Sequence, residues 1–181
     1  MLGEDLTKQE KEGYMDLCVS YPKLSAMEYK DLRGAKDVEH RILLKEGFKP
    51  KAQILRRLGE IQQEVLWQEL TKLLEVGIVY PVQESEWVSH VVITPKQNGK
   101  WRVCVDYNPL NAATQQNHYP LPFQDEILNK VADHERYSIM DGFSGYFQIA
   151  IALEDQLKTT FITPWGCFAY CRMPFGLRRL H

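Results

Sequence analysis

Apolar residues recur every three or four positions between Glu60 and Val76, which is the spacing of one face of an α-helix. The residues on that face are Ile61, Val65, Leu66, Leu70, Leu73 and Leu74. Gly77 follows where a C-terminal cap belongs, because glycine readily adopts the left-handed backbone that ends many helices. The pattern predicts a helix over residues 60–76 that packs on a core through this face.

Two hairpins are predicted further along the chain. The runs VSHVVITP and KWRVCVDY flank Gln97-Asn98-Gly99, and Asn-Gly between strand-like runs favours a type I′ turn. Because side chains alternate along a strand, Arg102, Cys104 and Asp106 share the face opposite the apolar one. The runs KTTFIT and CFAYCR predict a second hairpin around Pro164-Trp165-Gly166.

The remaining pattern predicts shorter elements. A helix over Asp5 to Val19 lies in a polar leader, residues 1–36. The run FQDEILNKVA predicts a short helix, and Tyr137 to Asp141 predicts a strand. The apolar face of that short helix, expected to point inward, consists of Phe123, Ile127, Leu128 and Val131. Helices and hairpins in this order indicate an α+β fold built on an antiparallel sheet.

Composition and charge fit a globular protein. The chain has 181 residues, 44% of them hydrophobic and 25% charged, and its net charge of -2 gives no chain-wide basic field. No acidic residue follows Asp155, whereas four cations do: Lys158, Arg172, Arg178 and Arg179. These are either ordinary solvated charges or a local surface that contacts phosphates.

The sequence predicts neither a membrane-spanning segment nor a zinc site. The N-terminus does not resemble a signal peptide, and no apolar run is as long as a membrane span, so we expect an intracellular protein without a membrane partner, in either cytoplasm or nucleus. If their segment is a strand, Cys167 and Cys171 lie roughly 13 Å apart and do not share one zinc ion.

One acidic residue stands out in the stretch YSIMDGFSGYFQI. Asp141 ends a short apolar run and is followed at once by a Gly-x-x-Gly turn. A strand fixes a carboxylate and such a turn opens space beside it, which suits a metal ligand. The alternative is that Asp141 caps a helical turn.

Several segments occur in the order of a known family. The pieces GIVYPVQESEWVSHVVITPKQNGKWRVCVDYNPLNAAT, HYPLPFQDEIL and YSIMDGFSGYFQIAIALEDQLKTTFITPWGCFAYCRMPFGL resemble the reverse transcriptase of gypsy-type LTR retrotransposons, in particular copies common in plant genomes. The resemblance runs from about Asp37 to Leu177 and implies a right-hand polymerase fold, with fingers and the first part of the palm in residues 37–181. It also implies RNA-directed DNA synthesis, with an RNA/DNA template-primer and deoxynucleoside triphosphates (dNTPs) as partners.

The resemblance also implies roles for single residues. Asp141 is similar to the first catalytic aspartate, a ligand of two Mg²⁺ ions. Tyr146 matches the steric gate, whose ring clashes with a ribose 2′-OH. Arg102 and a hairpin lysine, Lys96 or alternatively Lys100, match the residues that hold the triphosphate.

Other matched positions surround the nucleotide or the template. Gly142 and Phe143 follow the aspartate in the nucleotide site, and Phe175-Gly176 match a loop that lines the same pocket. Asp106 and Tyr107 fall in the motif that leads to the template strand.

The sequence departs from the family in two places. Asn108-Pro109 stands where a basic pair is usual, so phosphate contacts are not expected there. The family completes its metal site with an Asp-Asp turn, and the chain contains no Asp-Asp pair. The acids nearest Asp141 are Glu135, Glu154 and Asp155, and nothing in their positions indicates that they replace the missing pair.

These departures predict a C-terminally truncated enzyme fragment that binds Mg²⁺ weakly at best and does not polymerise alone. Two alternatives stay open: a non-catalytic nucleic-acid-binding fragment, and the product of a decayed retroelement. We also expect an exposed apolar edge beside the Asp141 strand.

Overall fold

The structure is a computed structural model that describes residues 5–22, 26, 28–96, 99–116, 122–132, 134, 137, 139 and 142–178. Its α-helices are α1 (Lys8–Ser20), α2 (Glu60–Glu75), α3 (Asn108–Ala113) and α4 (Gln124–Val131). Its strands are β1 (Glu39–His40), β2 (Val79–Val82), β3 (Ser89–Pro95), β4 (Trp101–Val105), β5 (Ala150–Ile151), β6 (Phe161–Thr163) and β7 (Gly166–Tyr170). Short 3₁₀ helices span Tyr29–Asp31, Gly145–Gln148 and Leu153–Thr159.

Five strands form the main sheet in the order β2-β7-β6-β3-β4. All neighbours pair antiparallel except β3 and β6, which are parallel with Ser89 opposite Phe161. A separate parallel pair joins β1 to β5, with His40 opposite Ile151. The predicted α+β class is confirmed, but the sheet is not wholly antiparallel as expected. The long segment between β3 and β6 provides the crossover connection that a parallel pair requires.

Both predicted hairpins form. Strands β3 and β4 pair from Val91↔Val105 to Pro95↔Trp101, and Gly99 in their connection has φ +74°. Gln97 and Asn98 lie outside the described residues, so the turn type stays a prediction. In the β6–β7 hairpin Gly166 has φ +125°, and the Thr163 hydroxyl donates to the Gly166 carbonyl over 2.9 Å.

Helix α2 packs its apolar face against β2 and β4. Leu66, Leu70 and Leu73 are buried there, and Gly77 has the left-handed φ of +69° that the cap prediction requires. The inward position predicted for Ile61 is wrong, since 68% of this residue is exposed. Ile61 lies in the first turn of α2, ahead of the part of the helix that reaches the sheet.

Helix α4 forms as predicted, but its predicted burial is wrong. Every residue of the expected inward face is exposed: Phe123 (76%), Ile127 (48%), Leu128 (52%) and Val131 (38%). Nothing in the described part of the chain covers this face, because periodicity determines a helix without determining its partner. The predicted strand from Tyr137 to Asp141 stays a prediction, since Ser138, Met140 and Asp141 lie outside the described residues.

The polar leader contains the expected helix. Helix α1 begins after Thr7, whose backbone N–H donates to the Glu10 carboxylate while its hydroxyl accepts from the Glu10 N–H. None of the residues of α1 is buried. None of the helices in the described ranges has the length and apolar character needed to cross a membrane.

Candidate functional site

A cleft of about 310 Å³ opens where α2, β4, the 3₁₀ helix Gly145–Gln148 and the loop after β7 meet. It is lined by Tyr29, Glu69, Leu73, Arg102, Val103, Cys104, Val105, Ser144, Tyr146, Phe147, Tyr170, Pro174 and Phe175. Three of the residues selected from the sequence therefore meet in one place: Arg102, Tyr146 and Phe175. They come from three separate segments, with Tyr146 44 positions after Arg102 and Phe175 29 positions after Tyr146.

The cationic side of the cleft belongs to the β3–β4 hairpin. Arg102 pairs with Thr94 across the hairpin and is exposed. Lys96 lies directly after β3, where its N–H donates to the Lys100 carbonyl over 2.6 Å, and it is not among the lining residues. Both cations act on the Cys104 thiol, whose pKa is nevertheless raised because burial outweighs them. Pro95 pairs with Trp101, so Lys96 and Arg102 each follow one residue of the same cross-strand pair.

The aromatic side of the cleft is formed by Tyr146 and Phe175. Their ring centroids are 5.7 Å apart and the rings meet edge to face, a favourable geometry for an aromatic pair. Gly176 follows with φ +92°, so glycine suits the turn after Phe175. Together, Arg102 and this ring pair can hold a ligand that combines an anionic group with a flat or apolar part.

The loop that carries Phe175 is fixed by Asn111 of α3. The Asn111 amide donates to the Gly176 carbonyl and accepts from the Arg178 N–H, each over 2.7 Å. Asn111 was not selected from the sequence, because its partners lie more than 60 residues away and only the folded chain brings them together. Its neighbour Asn108-Pro109 starts α3, where proline in the first turn removes no helical hydrogen bond.

Asp106 and Tyr107, selected as template contacts, are both tied into the fold. The Asp106 carboxylate accepts from the Asn108 N–H at 3.1 Å, and one of its oxygens lies 3.6 Å from His90 Nε2. Tyr107 is 1% exposed and its hydroxyl donates to the Thr159 carbonyl over 2.8 Å. The Tyr107 ring therefore belongs to the core, and of the two side chains only that of Asp106 has exposed surface.

The residues at the predicted metal ligand are described only in part. Asp141 lies outside the described residues. Among the residues that are described, no three His, Cys, Asp or Glu side chains gather into a possible metal site. Next to Asp141, the Gly142 carbonyl accepts from the Gly145 N–H, and Phe143 lies outside the cleft with its ring against Tyr29.

Two of the acids near Asp141 in sequence are engaged elsewhere. Asp155 is buried, accepts from the Ile42 N–H over 2.7 Å and is paired with Lys158. Glu154 lies 3.9 Å from Arg41 at the surface. Glu135 is outside the described residues. Asp155 and Glu154 thus each have a partner of their own, and whether they approach Asp141 stays a prediction.

Residues 94–179 match the family model of reverse transcriptase (RNA-dependent DNA polymerase). These matched residues are part of a reverse transcriptase domain. The match includes β4 with Arg102, the segment with Tyr146 and the loop with Phe175, which form three of the four sides of the cleft. The fourth side, α2, lies outside the matched residues.

Curated relatives agree with this assignment. The Pol polyprotein of transposon 297 from Drosophila melanogaster is 35% identical over 130 residues, which are 68% of this chain and 12% of that protein. An RNA-directed DNA polymerase homolog from Oenothera berteroana is 41% identical over 76 residues, covering 42% of this chain and 54% of that protein. The reverse transcriptase segment thus matches transposon polyproteins of which it spans only a small part.

Solved structures agree on the fold. A crystal structure of the prototype foamy virus protease–reverse transcriptase superimposes with a TM-score of 0.84 at 21% identity, covering 96% of this chain and 23% of that chain. The foamy viral enzyme in complex with an RNA/DNA hybrid gives 0.79 at 18% identity, over 97% of this chain and 23% of that chain. The expected polymerase fold is confirmed.

Proposed function

We propose that this chain supplies the nucleotide-binding part of an RNA-directed DNA polymerase, and that a dNTP is the ligand of the cleft. The observation that carries the proposal is the meeting of Arg102, Tyr146 and Phe175 in one cleft of suitable chemistry. The family match of residues 94–179 supports it, because all three residues fall within that range.

Each residue has a distinct part in the proposal. The guanidinium of Arg102 pairs with oxygens of the triphosphate, since its planar fork suits bidentate phosphate contacts. Lys96, at the end of the same hairpin, adds a second positive charge for the distal phosphates. Tyr146 is proposed to exclude a ribose 2′-OH, and the edge-to-face contact with Phe175 supports its ring.

Catalysis is proposed to need more than these residues. Two Mg²⁺ ions, when bound, activate the primer 3′-OH and stabilise the departing pyrophosphate. Asp141 is our proposed ligand from this chain. Mg²⁺ needs several anionic ligands in near-octahedral geometry, and the 181 residues contain no Asp-Asp pair to join Asp141. We therefore propose that this polypeptide alone does not extend a primer.

The first experiment measures nucleotide binding. The anisotropy of a fluorescent dATP analogue is titrated with the 181-residue protein, its Arg102→Ala variant and the control Arg57→Ala, which removes an exposed arginine that does not line the cleft. We expect Arg102→Ala to weaken binding by roughly tenfold and Arg57→Ala to have little effect. Equal losses in the two variants would contradict a specific role for Arg102.

The second experiment tests the proposed lack of activity. The wild-type protein and Asp141→Asn are each given an RNA template, a DNA primer, Mg²⁺ and dNTPs, and neither is expected to extend the primer. Extension by the wild type that Asp141→Asn abolishes would show that the chain completes its own metal site. The proposal for the cleft would then stand and the proposal of inactivity would fail.

A nucleic-acid partner is proposed on a separate observation. The solved neighbours include the foamy viral enzyme with an RNA/DNA hybrid and with dsDNA, and they share this fold. We propose that the chain binds template-primer duplex through backbone phosphates, with Arg102, Lys96 and Arg178 as contributors. Binding then weakens steeply as salt rises, because it depends on released counterions. A Kd that stays constant between low and high salt would contradict it.

We also propose that the domain comes from a gypsy-type element of a plant. The ordered motifs from Asp37 to Leu177 support this origin, and so does the plant relative from Oenothera. The proposal is tested by placing the sequence in a tree of complete reverse transcriptase domains. Grouping with another class of element would overturn it.

A further inference from the structure

The polar leader reaches the cleft. The 3₁₀ helix Tyr29–Asp31 lies in the polar leader, residues 1–36, where the sequence selected no site residue, and yet Tyr29 lines the cleft. Its ring centroid is 6.0 Å from that of Phe143 and 5.6 Å from that of Phe147, the latter edge to face. Tyr29 thus packs on two residues that flank Tyr146 in the sequence, Phe143 before it and Phe147 after it. We call residues 142–149 the gate turn.

A second contact attaches the leader to the end of the gate turn. The Ala35 N–H donates to the Gln148 carbonyl over 2.6 Å. Gly34, just before it, has φ +76°, and a Cβ there would lie 2.6 Å from Arg172 Nη1. The positive φ favours glycine at this point, whereas the guanidinium is the end of a flexible side chain that can move away from an added Cβ. The segment Glu28–Ala35 is therefore held against the gate turn at both of its ends.

The hydroxyl of Tyr29 connects the gate turn to α2. It donates to Glu69 Oε1 over 3.0 Å, and burial together with the Glu69 carboxylate raises the pKa of Tyr29 to about 12. The phenol therefore stays protonated and remains a donor at neutral pH. Since α2 packs on the sheet, this bond joins the gate turn to the rigid part of the domain.

The gate turn needs such support because its backbone is irregular. Ser144 has φ +42°, a left-handed conformation that is uncommon for a residue other than glycine. It is followed by a single 3₁₀ turn, in which the Phe147 N–H donates to the Ser144 carbonyl over 2.9 Å. Such turns persist when the surrounding structure holds them in place.

From these contacts we propose that Tyr29 is a positioning residue for nucleotide selection, which holds the gate turn so that Tyr146 keeps its place beside Phe175. The proposal rests on the proposed function of the cleft as a dNTP site. Tyr29 acts on the position of the Tyr146 ring through its contacts with Phe143 and Phe147. Losing the Tyr29 ring lets the gate turn shift, and the cleft then discriminates less well against a ribose.

The test compares the affinity for dATP with that for ATP in five proteins. They are the wild type, Tyr146→Ala, Tyr29→Ala, Tyr29→Phe and the control Tyr14→Ala, which removes a tyrosine of α1 that does not line the cleft. We expect a preference for dATP in the wild type that Tyr146→Ala removes. Tyr29→Ala should reduce the preference roughly fivefold, which corresponds to about 1 kcal/mol. Tyr29→Phe keeps the ring and should retain an intermediate preference, whereas Tyr14→Ala should match the wild type.

A second measurement does not depend on nucleotide binding. Hydrogen exchange of the amides in residues 142–149 should be faster in Tyr29→Ala than in the wild type, while exchange in β3 and β4 stays the same. Faster exchange throughout the protein would indicate general destabilisation and overturn a specific positioning role. Unchanged exchange in the gate turn would overturn it too.

The two measurements show whether the proposed dNTP site or the proposed role of Tyr29 is wrong. If the wild type binds neither nucleotide, the proposed function fails and the selection role of Tyr29 fails with it, while exchange still decides whether Tyr29 holds the gate turn. If Tyr146→Ala loses the preference but Tyr29→Ala keeps it, the proposed function stands and the role of Tyr29 is wrong.

Discussion

Helices α2 and α4 have the same kind of sequence pattern and opposite environments. Each has apolar residues spaced on one face, and each was expected to bury them. In α2 the residues Leu66, Leu70 and Leu73 are buried against the sheet. In α4 no residue is buried, and the apolar side chain before its first turn, Phe123, is the most exposed of the set.

The difference teaches that a hydrophobic period predicts an element and a face, but not what covers the face. The partner of α2 is available because β2 and β4 are both within the described part of the chain. The described residues contain no such partner for α4. The chain spans 9% to 14% of the length of the transposon polyproteins that it matches. We therefore expect the buried face of α2 to contribute more to the stability of the protein than the exposed face of α4. Four measurements test the contrast between the buried core and α4.

The largest expected effect follows from truncating a leucine of α2. Leu70→Ala removes a side chain that is 2% exposed and leaves a cavity, so the free energy of unfolding should fall by about 2–5 kcal/mol. Leu128→Ala, on α4, is the matched change at a half-exposed position and should cost less than about 1 kcal/mol. Urea denaturation followed by circular dichroism measures both.

Ile61→Ala supplies a control on α2 itself. Ile61 was predicted to face the core but is exposed, so its truncation should resemble Leu128→Ala and not Leu70→Ala. Equal losses at Leu70 and Leu128 would mean that α4 is covered in solution, and the comparison between the helices would then be wrong.

The next largest effect is expected from the buried hydroxyl of Tyr107 in the core. Tyr107→Phe removes the donor to the Thr159 carbonyl and leaves that buried oxygen without its partner, which should cost about 1–3 kcal/mol. Thermal unfolding of the variant and wild type gives the difference. A control is Tyr14→Phe, on a helix without buried residues, where we expect almost no change. If Tyr107→Phe is neutral, water replaces this hydrogen bond and the region is less tightly closed than the structure indicates.

Much of the fold was predictable because its signals are local. The period of α2, the Asn-Gly between β3 and β4, and the Pro-Trp-Gly between β6 and β7 each determine a short element from neighbouring residues. The sheet order was not predicted, since the pairing of β2 with β7 and of β3 with β6 joins segments some 70 or more residues apart. No turn in the sequence encodes those contacts.

The candidate site was predicted only in part, for the same reason. The resemblance selected Arg102, Tyr146 and Phe175, which meet in the cleft, but Asp141 lies outside the described residues and its role stays a prediction. Tyr29, Glu69 and Asn111 were missed. Their partners are distant in sequence, so a polar leader or an ordinary helix position gives no local signal of the contact.

A smaller effect on stability, with a clear optical signal, is expected at α4. The double change Ile127→Gln and Leu128→Gln keeps good helix formers while removing two exposed apolar side chains. The isolated chain should bind a dye that reports exposed hydrophobic surface, and the double variant should give weaker fluorescence with little change in unfolding free energy. An unchanged signal would place the dye on another surface, and a wild-type protein that binds no dye would show that α4 is covered.

The smallest expected effect is a change of stability with pH that comes from a buried histidine of β1 and not from α4. His40 of β1 is buried, its Nε2 has no hydrogen-bond partner among the described residues, and burial lowers its pKa from 6.5 despite the nearby Asp155 carboxylate. Because the folded state takes up this proton less readily than the unfolded state, its contribution to stability is present above pH 6.5 and declines as the pH falls below that value. Replacing His40 with glutamine removes the titration, so the urea midpoint of His40→Gln should fall less than that of the wild type between neutral pH and about pH 5. If the urea midpoint falls equally in the two proteins, other groups dominate the pH dependence and the titration of His40 does not affect stability.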